Sequence, residues 1–100
     1  MGYFVGANKT AADYEKELSV AKARRAELIA KNDTDTAKIA ELTVEIRVAF
    51  TNDYSQAGVL NRQIKDLASE INARRGQILG IERSLPQISL MASVASKWDK

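Results

Sequence analysis

The sequence contains no cysteine and no histidine among its 100 residues. Without cysteine the chain can form neither disulfides nor thiolate metal sites. Without histidine it lacks the most common general base and the most common transition-metal ligand. Carboxylates recur at helical spacing, but di-iron sites in helical bundles also need histidine, and no EF-hand spacing is present. Since phosphate-binding glycine loops and nucleophile elbows are missing too, we expect no enzymatic activity, no metal and no cofactor.

Long apolar runs are also missing. No stretch approaches about 18 uncharged apolar residues, and the N-terminus lacks a basic segment followed by a long apolar core. We therefore expect a soluble protein with no membrane association and no secretory signal, located in the cytoplasm or in a virion. The 15 basic and 13 acidic residues give a net charge of only +2 and are spread along the chain. This balance disfavours nucleic acid as a partner.

Nucleic-acid binding nevertheless remains an alternative, because basic residues cluster in two helical segments. Arg24 and Arg25 form one pair and Arg74 and Arg75 form another, and such clusters can neutralise phosphates. Glu70 precedes Arg74 by four residues, however, so an ordinary intrahelical ion pair explains part of this charge. We favour solvated helix faces over a phosphate-binding surface.

What the sequence does contain is a regular apolar spacing in residues 60–85, which we call the 60–85 seam. Its positions recur at alternating intervals of four and three residues, as in a helix that packs one edge against another helix. Burying its aliphatic side chains contributes on the order of 10–20 kcal/mol. A covering surface must therefore exist within the chain or on a neighbour. The seam positions are Leu60, Ile64, Leu67, Ile71, Arg74, Ile78, Ile81 and Leu85.

The first half of the chain predicts further helix. Thr10 and Asp13 resemble a capping box, and an apolar spacing follows over about residues 10–31. The cluster Asn32-Asp-Thr-Asp35 is typical of caps and turns, so we expect the first helix to end there. Arg25 lies at a position of the apolar spacing in the first helix, and Arg74 lies in the 60–85 seam. They could form a polar layer that fixes the register, or extend their charged ends to water, and we favour the second interpretation.

Residues 36–51 fit two secondary structures. Residues 42–50 alternate between apolar and polar as a strand would, but the lead-in and neighbouring segments favour helix. If this segment is helical, Val44 and Val48 lie on the far side from Ile46, and the helix would contact two neighbours.

The later boundaries follow from capping and proline chemistry. Asp53 can cap a new helix over about 54–85, although one helix over about 35–85 is an alternative. Pro86 is expected to end the long helix. We predict an all-α fold, either a helical hairpin or a three-helix coiled-coil-like bundle with one long helix. The chain would form one domain over 1–100, with an N-terminal arm over 1–9, helices over 10–85 and a short C-terminal segment over 87–100.

The predicted helix lengths favour assembly. A helix over 10–31 spans about 33 Å and one over 54–85 about 48 Å, so the first cannot cover the whole 60–85 seam. Two glycines in the uncovered part each cost about 1 kcal/mol relative to alanine, which close approach of another backbone would offset. Aromatic residues in both terminal segments also suggest docking. The expected interface comprises the 60–85 seam together with Gly76, Gly80, Tyr3, Phe4 and Trp98.

The expected function is therefore structural. We predict a subunit that packs through coiled-coil-like seams in a homo-oligomer or larger protein complex, such as a virion, a secretion apparatus or a filament. One alternative is a small helical regulatory or inhibitory binding protein. The other is an architectural protein that binds nucleic acid.

Overall fold

The computed structural model describes residues 9–98, and two long helices account for nearly all of them. Helix α1 comprises Ala11–Asn52, with 42 residues, and helix α2 comprises Tyr54–Trp98, with 45. The all-α prediction is confirmed, and of its two architectures the chain adopts the helical hairpin. The described residues contain no strand, so the segment 42–50 is helical.

Helix α1 begins with the capping box that the sequence predicts. The Thr10 amide donates a hydrogen bond to Asp13 Oδ2 at 3.0 Å, and the Asp13 amide donates one to Thr10 Oγ1 at 3.2 Å. This reciprocal pair satisfies two amides that the helix itself cannot pair. The start of the first helix is therefore predicted to within one residue.

The prediction that the first helix ends at residues 32–35 is wrong, because α1 continues to Asn52. Asn32 and Asp35 both form hydrogen bonds with residues of α2, so their polar side chains are satisfied within a continuous helix. Asn32 Nδ2 donates to the Ile71 carbonyl at 3.4 Å, and Asp35 accepts a hydrogen bond from Arg74. Thr34 Oγ1 donates to the Ala30 carbonyl one turn earlier, which an uninterrupted helix permits.

A single residue, Asp53, separates the two helices. Its amide donates to the Ala49 carbonyl at 2.7 Å and closes the last turn of α1. Its carboxylate Oδ1 accepts from the Ser55 hydroxyl at 2.9 Å and the Gln56 amide at 3.4 Å, which caps the start of α2. The predicted break at Asp53 is confirmed, and the alternative of one helix over 35–85 is wrong.

Pro86 does not end the long helix, contrary to the sequence prediction. Helix α2 contains Pro86 and continues to Trp98, so the described residues 87–98 belong to α2. The reason lies in the seam spacing, which continues past the proline through the half-buried residues Ile88, Ala92 and Ala95. Burial of these side chains offsets the hydrogen bond that proline removes from the helix.

The chain divides into two compact units, each built from one segment of α1 and one of α2. The tip unit comprises residues 27–77, and the terminal unit comprises the described residues among 1–26 and 78–100. All of the buried side chains among the described residues belong to the tip unit. Its core consists of Leu42, Ala49, Ala57 and Leu60, with Ile46, Ile64 and Leu67 packed against it.

The terminal unit is packed more loosely. Its inward-facing residues, which include Leu18 and Ala21 of α1 and Ile81 and Leu85 of α2, are half-buried rather than buried. At the edge of this unit, Arg25 donates a hydrogen bond to Glu82 Oε2 at 2.9 Å. The terminal unit therefore combines modest apolar burial with a solvent-accessible ion pair.

Candidate interaction surfaces

Part of the 60–85 seam is covered by α1 of the same chain. Leu60 is buried, and Ile64 and Leu67 pack against a core that includes Leu42 of α1. The sequence predicted a first helix too short to cover this seam, which suggested that another molecule covers it. That prediction is wrong, because α1 is nearly as long as α2. Of the other predicted positions, Ile71 is buried, and Arg74, Ile78, Ile81 and Leu85 are half-buried.

Arg74 forms a polar layer inside the tip unit. Its side chain is only 19% exposed and pairs with Asp35, and its Nη1 also donates to Asn32 Oδ1 at 3.4 Å. The hydrogen bond to Asp35 is the main cause that raises the pKa of Arg74, with a further contribution from Glu70 on its own helix. The interpretation that Arg74 simply extends to water is wrong.

The sequence did not identify Asn32 and Asp35 as hydrogen-bond partners of Arg74. Asn32 and Asp35 were assigned to a turn, although they continue the three- and four-residue spacing that runs from Leu28 to Ile39. That continuous spacing indicates that Asn32 and Asp35 are helical positions on the face of α1 that meets α2. Because a shift of one turn would separate this layer from Arg74, it specifies the register of α1 against α2 within the tip unit.

Lys9 contacts the first turns of α1 in the terminal unit. Its Nζ lies 2.6 Å from Glu17 Oε1 and 5.5 Å from the centre of the Tyr14 ring. The hydrogen bond to Glu17 is the main cause that raises the pKa of Lys9. Exposed contacts of this kind contribute little to stability, but they hold Lys9 beside the first turns of α1.

Helix α1 presents a second, unpartnered face in the tip unit, which we call the outer stripe. Its positions are all exposed and recur at three- and four-residue intervals on the side opposite Leu42. Val44 and Val48 are 59% and 56% exposed, so the prediction that they face away from Ile46 is confirmed. Only one of its positions is charged. The outer stripe consists of Ala30, Asp33, Ala37, Ala40, Val44, Val48 and Thr51.

Two aromatic side chains lie exposed beside the turn. Phe50 and Tyr54 are 58% and 75% exposed, and their ring centroids are 5.5 Å apart in an edge-to-face arrangement. Phe50 follows the inward-facing Ile46 by four residues, but Ala49 occupies the buried position instead. The smaller side chain at this position allows the two helices to approach closely where they meet at Asp53.

The C-terminal end of α2 carries another exposed apolar group. Leu90, Met91, Val94 and Trp98 recur at helical spacing, and Trp98 is 82% exposed. Most of the Trp98 side chain is therefore left uncovered by the described residues of its own unit. The predicted interface residues Tyr3 and Phe4 lie outside the described residues.

Gly76 and Gly80 are exposed on α2. Apart from the backbone of its own helical turn and its chain neighbours, a Cβ atom added at either position would meet no described atom within 4 Å. No described segment of the chain therefore approaches these glycines closely, and any neighbour that explains them must come from outside the described residues.

The described residues contain neither a metal-binding group nor a membrane-spanning helix. They contain no group of three or more side chains that could hold a metal ion. None of their helices combines the length and apolar character that a membrane span requires. Their distinctive chemistry is the polar layer of the tip unit and the exposed apolar faces.

Comparisons of the chain with protein-family models, curated proteins and solved structures find no match.

Proposed function

We propose that this chain is a non-enzymatic structural subunit that assembles with other protein molecules through its exposed helical faces. The observation that carries the proposal is the outer stripe. Val44 and Val48 are more than half exposed on a face with coiled-coil-like spacing. This face lies opposite the face of α1 that packs against α2 through Leu42. Two opposite apolar faces on one helix are typical of a helix that packs between two neighbours.

Other exposed groups support the same proposal. The aromatic pair Phe50 and Tyr54 and the exposed Trp98 are large apolar surfaces, and tryptophan and tyrosine are enriched at protein interfaces. The open positions Gly76 and Gly80 would let a neighbouring backbone approach. A virion, a secretion apparatus or a filament remains the kind of assembly that we propose for such a subunit.

Light scattering and sedimentation of the pure protein over a concentration series test the proposal. We expect an average mass above that of one 11.0 kDa chain, rising with concentration. Replacing both Gly76 and Gly80 by leucine should weaken association, because the added side chains hold a neighbour away, although helix propensity rises by about 1 kcal/mol per site.

The matched control replaces the same two glycines by alanine. Alanine raises helix propensity similarly but adds only a methyl group, so it separates propensity from bulk. A chain that remains monomeric at all concentrations, and that both double variants simply stabilise, would refute self-assembly. The remaining candidate would be a small helical binding protein. It is favoured by the part of the 60–85 seam in the tip unit, which packs against α1 of the same chain.

A further inference from the structure

We propose that the outer stripe of α1 binds a second copy of this chain in antiparallel orientation, about a two-fold axis near Ala40. This inference rests on the proposed function and names the surface and the partner that it uses. All of the residues concerned lie on one helix of the tip unit.

The shape of the outer stripe suits self-pairing. A two-fold axis near Ala40 brings small Ala37 of one copy opposite larger Val44 of the other, and the reverse contact occurs on the far side of the axis. Alanine opposite valine allows two helices to approach closely without a void. The outer stripe of each copy would then cover the exposed valines of the other copy.

Two charges, one in the outer stripe and one beside it, favour the same arrangement. Asp33 lies seven residues before Ala40 and Arg47 lies seven residues after it. Both are exposed, and neither side chain forms an ion pair with any described residue. At about 100° per residue they lie on the same flank of α1.

A two-fold axis perpendicular to the helices turns this pair of unpaired charges into two contacts. It places Asp33 of each copy beside Arg47 of the other on the same flank. An axis anywhere within two residues of Ala40 leaves the two positions within about 6 Å along the helix, which an arginine side chain can span. Asp33 and Arg47 of each copy thus gain oppositely charged partners on the other copy.

A parallel pairing fits these charges less well. In register, a parallel pair would bring the two copies of Asp33 together, and likewise the two copies of Arg47, and like charges side by side are unfavourable. The antiparallel arrangement removes that repulsion. A contact made by one helical face is smaller than a standard interface, so we expect a weak dimer that further contacts in an assembly would reinforce.

Charge reversal tests the pairing. Asp33→Arg places two arginines in each contact, and Arg47→Asp places two aspartates there. We expect each single variant to raise the dimer dissociation constant by about tenfold, because two attractive contacts become two repulsive ones. Sedimentation equilibrium measures the constants, and circular dichroism checks that each variant remains helical.

Two combinations should restore the contact. The variant that carries both Asp33→Arg and Arg47→Asp should dimerise like the original chain, since every contact regains opposite charges. An equimolar mixture of the two single variants should form a heterodimer that neither forms with itself. Reversals at Arg62 and Asp66, which are exposed on α2, are matched controls and should leave the constant unchanged.

The outcomes separate this inference from the proposed function. Association that is insensitive to the reversals, or that the double variant fails to restore, overturns the antiparallel contact and leaves assembly through another surface. Association only with a different protein has the same consequence for the contact. A chain that stays monomeric at every concentration and associates with no other protein overturns both proposals.

Discussion

Leu42→Ala tests whether the inward face of α1 supports the fold. Leu42 is 3% exposed and belongs to the core of the tip unit, together with Ala49, Ala57 and Leu60. Truncating a buried leucine removes its transfer free energy and leaves a cavity, and together these effects cost about 2–5 kcal/mol. This core is small, with only three other buried side chains, two of them alanines, so Leu42 loses fewer packing contacts than a leucine in a large core.

We therefore expect the lower part of that range, about 2–3 kcal/mol in the free energy of unfolding. For a chain of this size, each kcal/mol lowers the melting temperature by about 4–8 °C, so the expected decrease is about 10–20 °C. Thermal and urea unfolding, followed by circular dichroism, measure this change. The protein concentration should be low, so that any association contributes little.

Val44→Ala is the matched control, two residues away on the same helix. Val44 is 59% exposed on the outer stripe, so its truncation creates no cavity in the described chain. We expect a change within about 0.5 kcal/mol, because exposed substitutions rarely exceed it. Equal melting temperatures for the two variants would refute the assignment of Leu42 to the inward face and Val44 to the outer one.

Three further experiments test local features. Pro86→Ala should stabilise α2 by about 1–3 kcal/mol, because it restores a helical hydrogen bond, and urea unfolding that shows no gain would place Pro86 outside a regular helix. Arg74→Leu should lower the melting temperature by leaving Asp35 without its cationic partner, whereas adding Asp35→Leu should recover it; an unrecovered double variant would contradict the polar layer. Thr10→Ala should cost about 1 kcal/mol at the start of α1, and unchanged hydrogen exchange in the first helical turn would argue against the capping box.

The helices are predictable because their seams repeat. The spacing of the 60–85 seam identifies α2, and the same spacing continues in α1 once residues 32–35 are included. Asp53 is predictable for a different reason. Its carboxylate caps the next helix through atoms only two and three residues away, so the relevant partners are local in sequence.

The two boundary errors have a common physical cause. Asn32 and Asp35 resemble a turn when only their neighbours are considered, but their partner Arg74 lies about 40 residues later. Pro86 likewise reads as a helix end locally, while side chains on the following turns maintain the seam. Local propensity is a weak preference that burial and tertiary pairing can override, and neither contact can be assigned without the fold.

The candidate surfaces were predictable to different extents. Val44 and Val48 follow from helical geometry as soon as residues 36–51 are taken as helix. The pairing of Asp33 with Arg47 of a second copy could not be proposed until both side chains were known to lack partners in the tip unit. The openness around Gly76 and Gly80 also required coordinates, because sequence spacing alone cannot distinguish a covered glycine from an exposed one.

The two faces of α1 are not interchangeable, and their charges explain why. A half-turn of α1 would bury Asp33 against apolar positions of α2 and would separate Asp35 from Arg74. The same rotation would expose Leu42 and cover the smaller outer stripe in its place. A buried, unpaired carboxylate costs far more than the substitution of one apolar face for another. The polar layer therefore selects which face of α1 meets α2, and this selection leaves the outer stripe available to a second molecule.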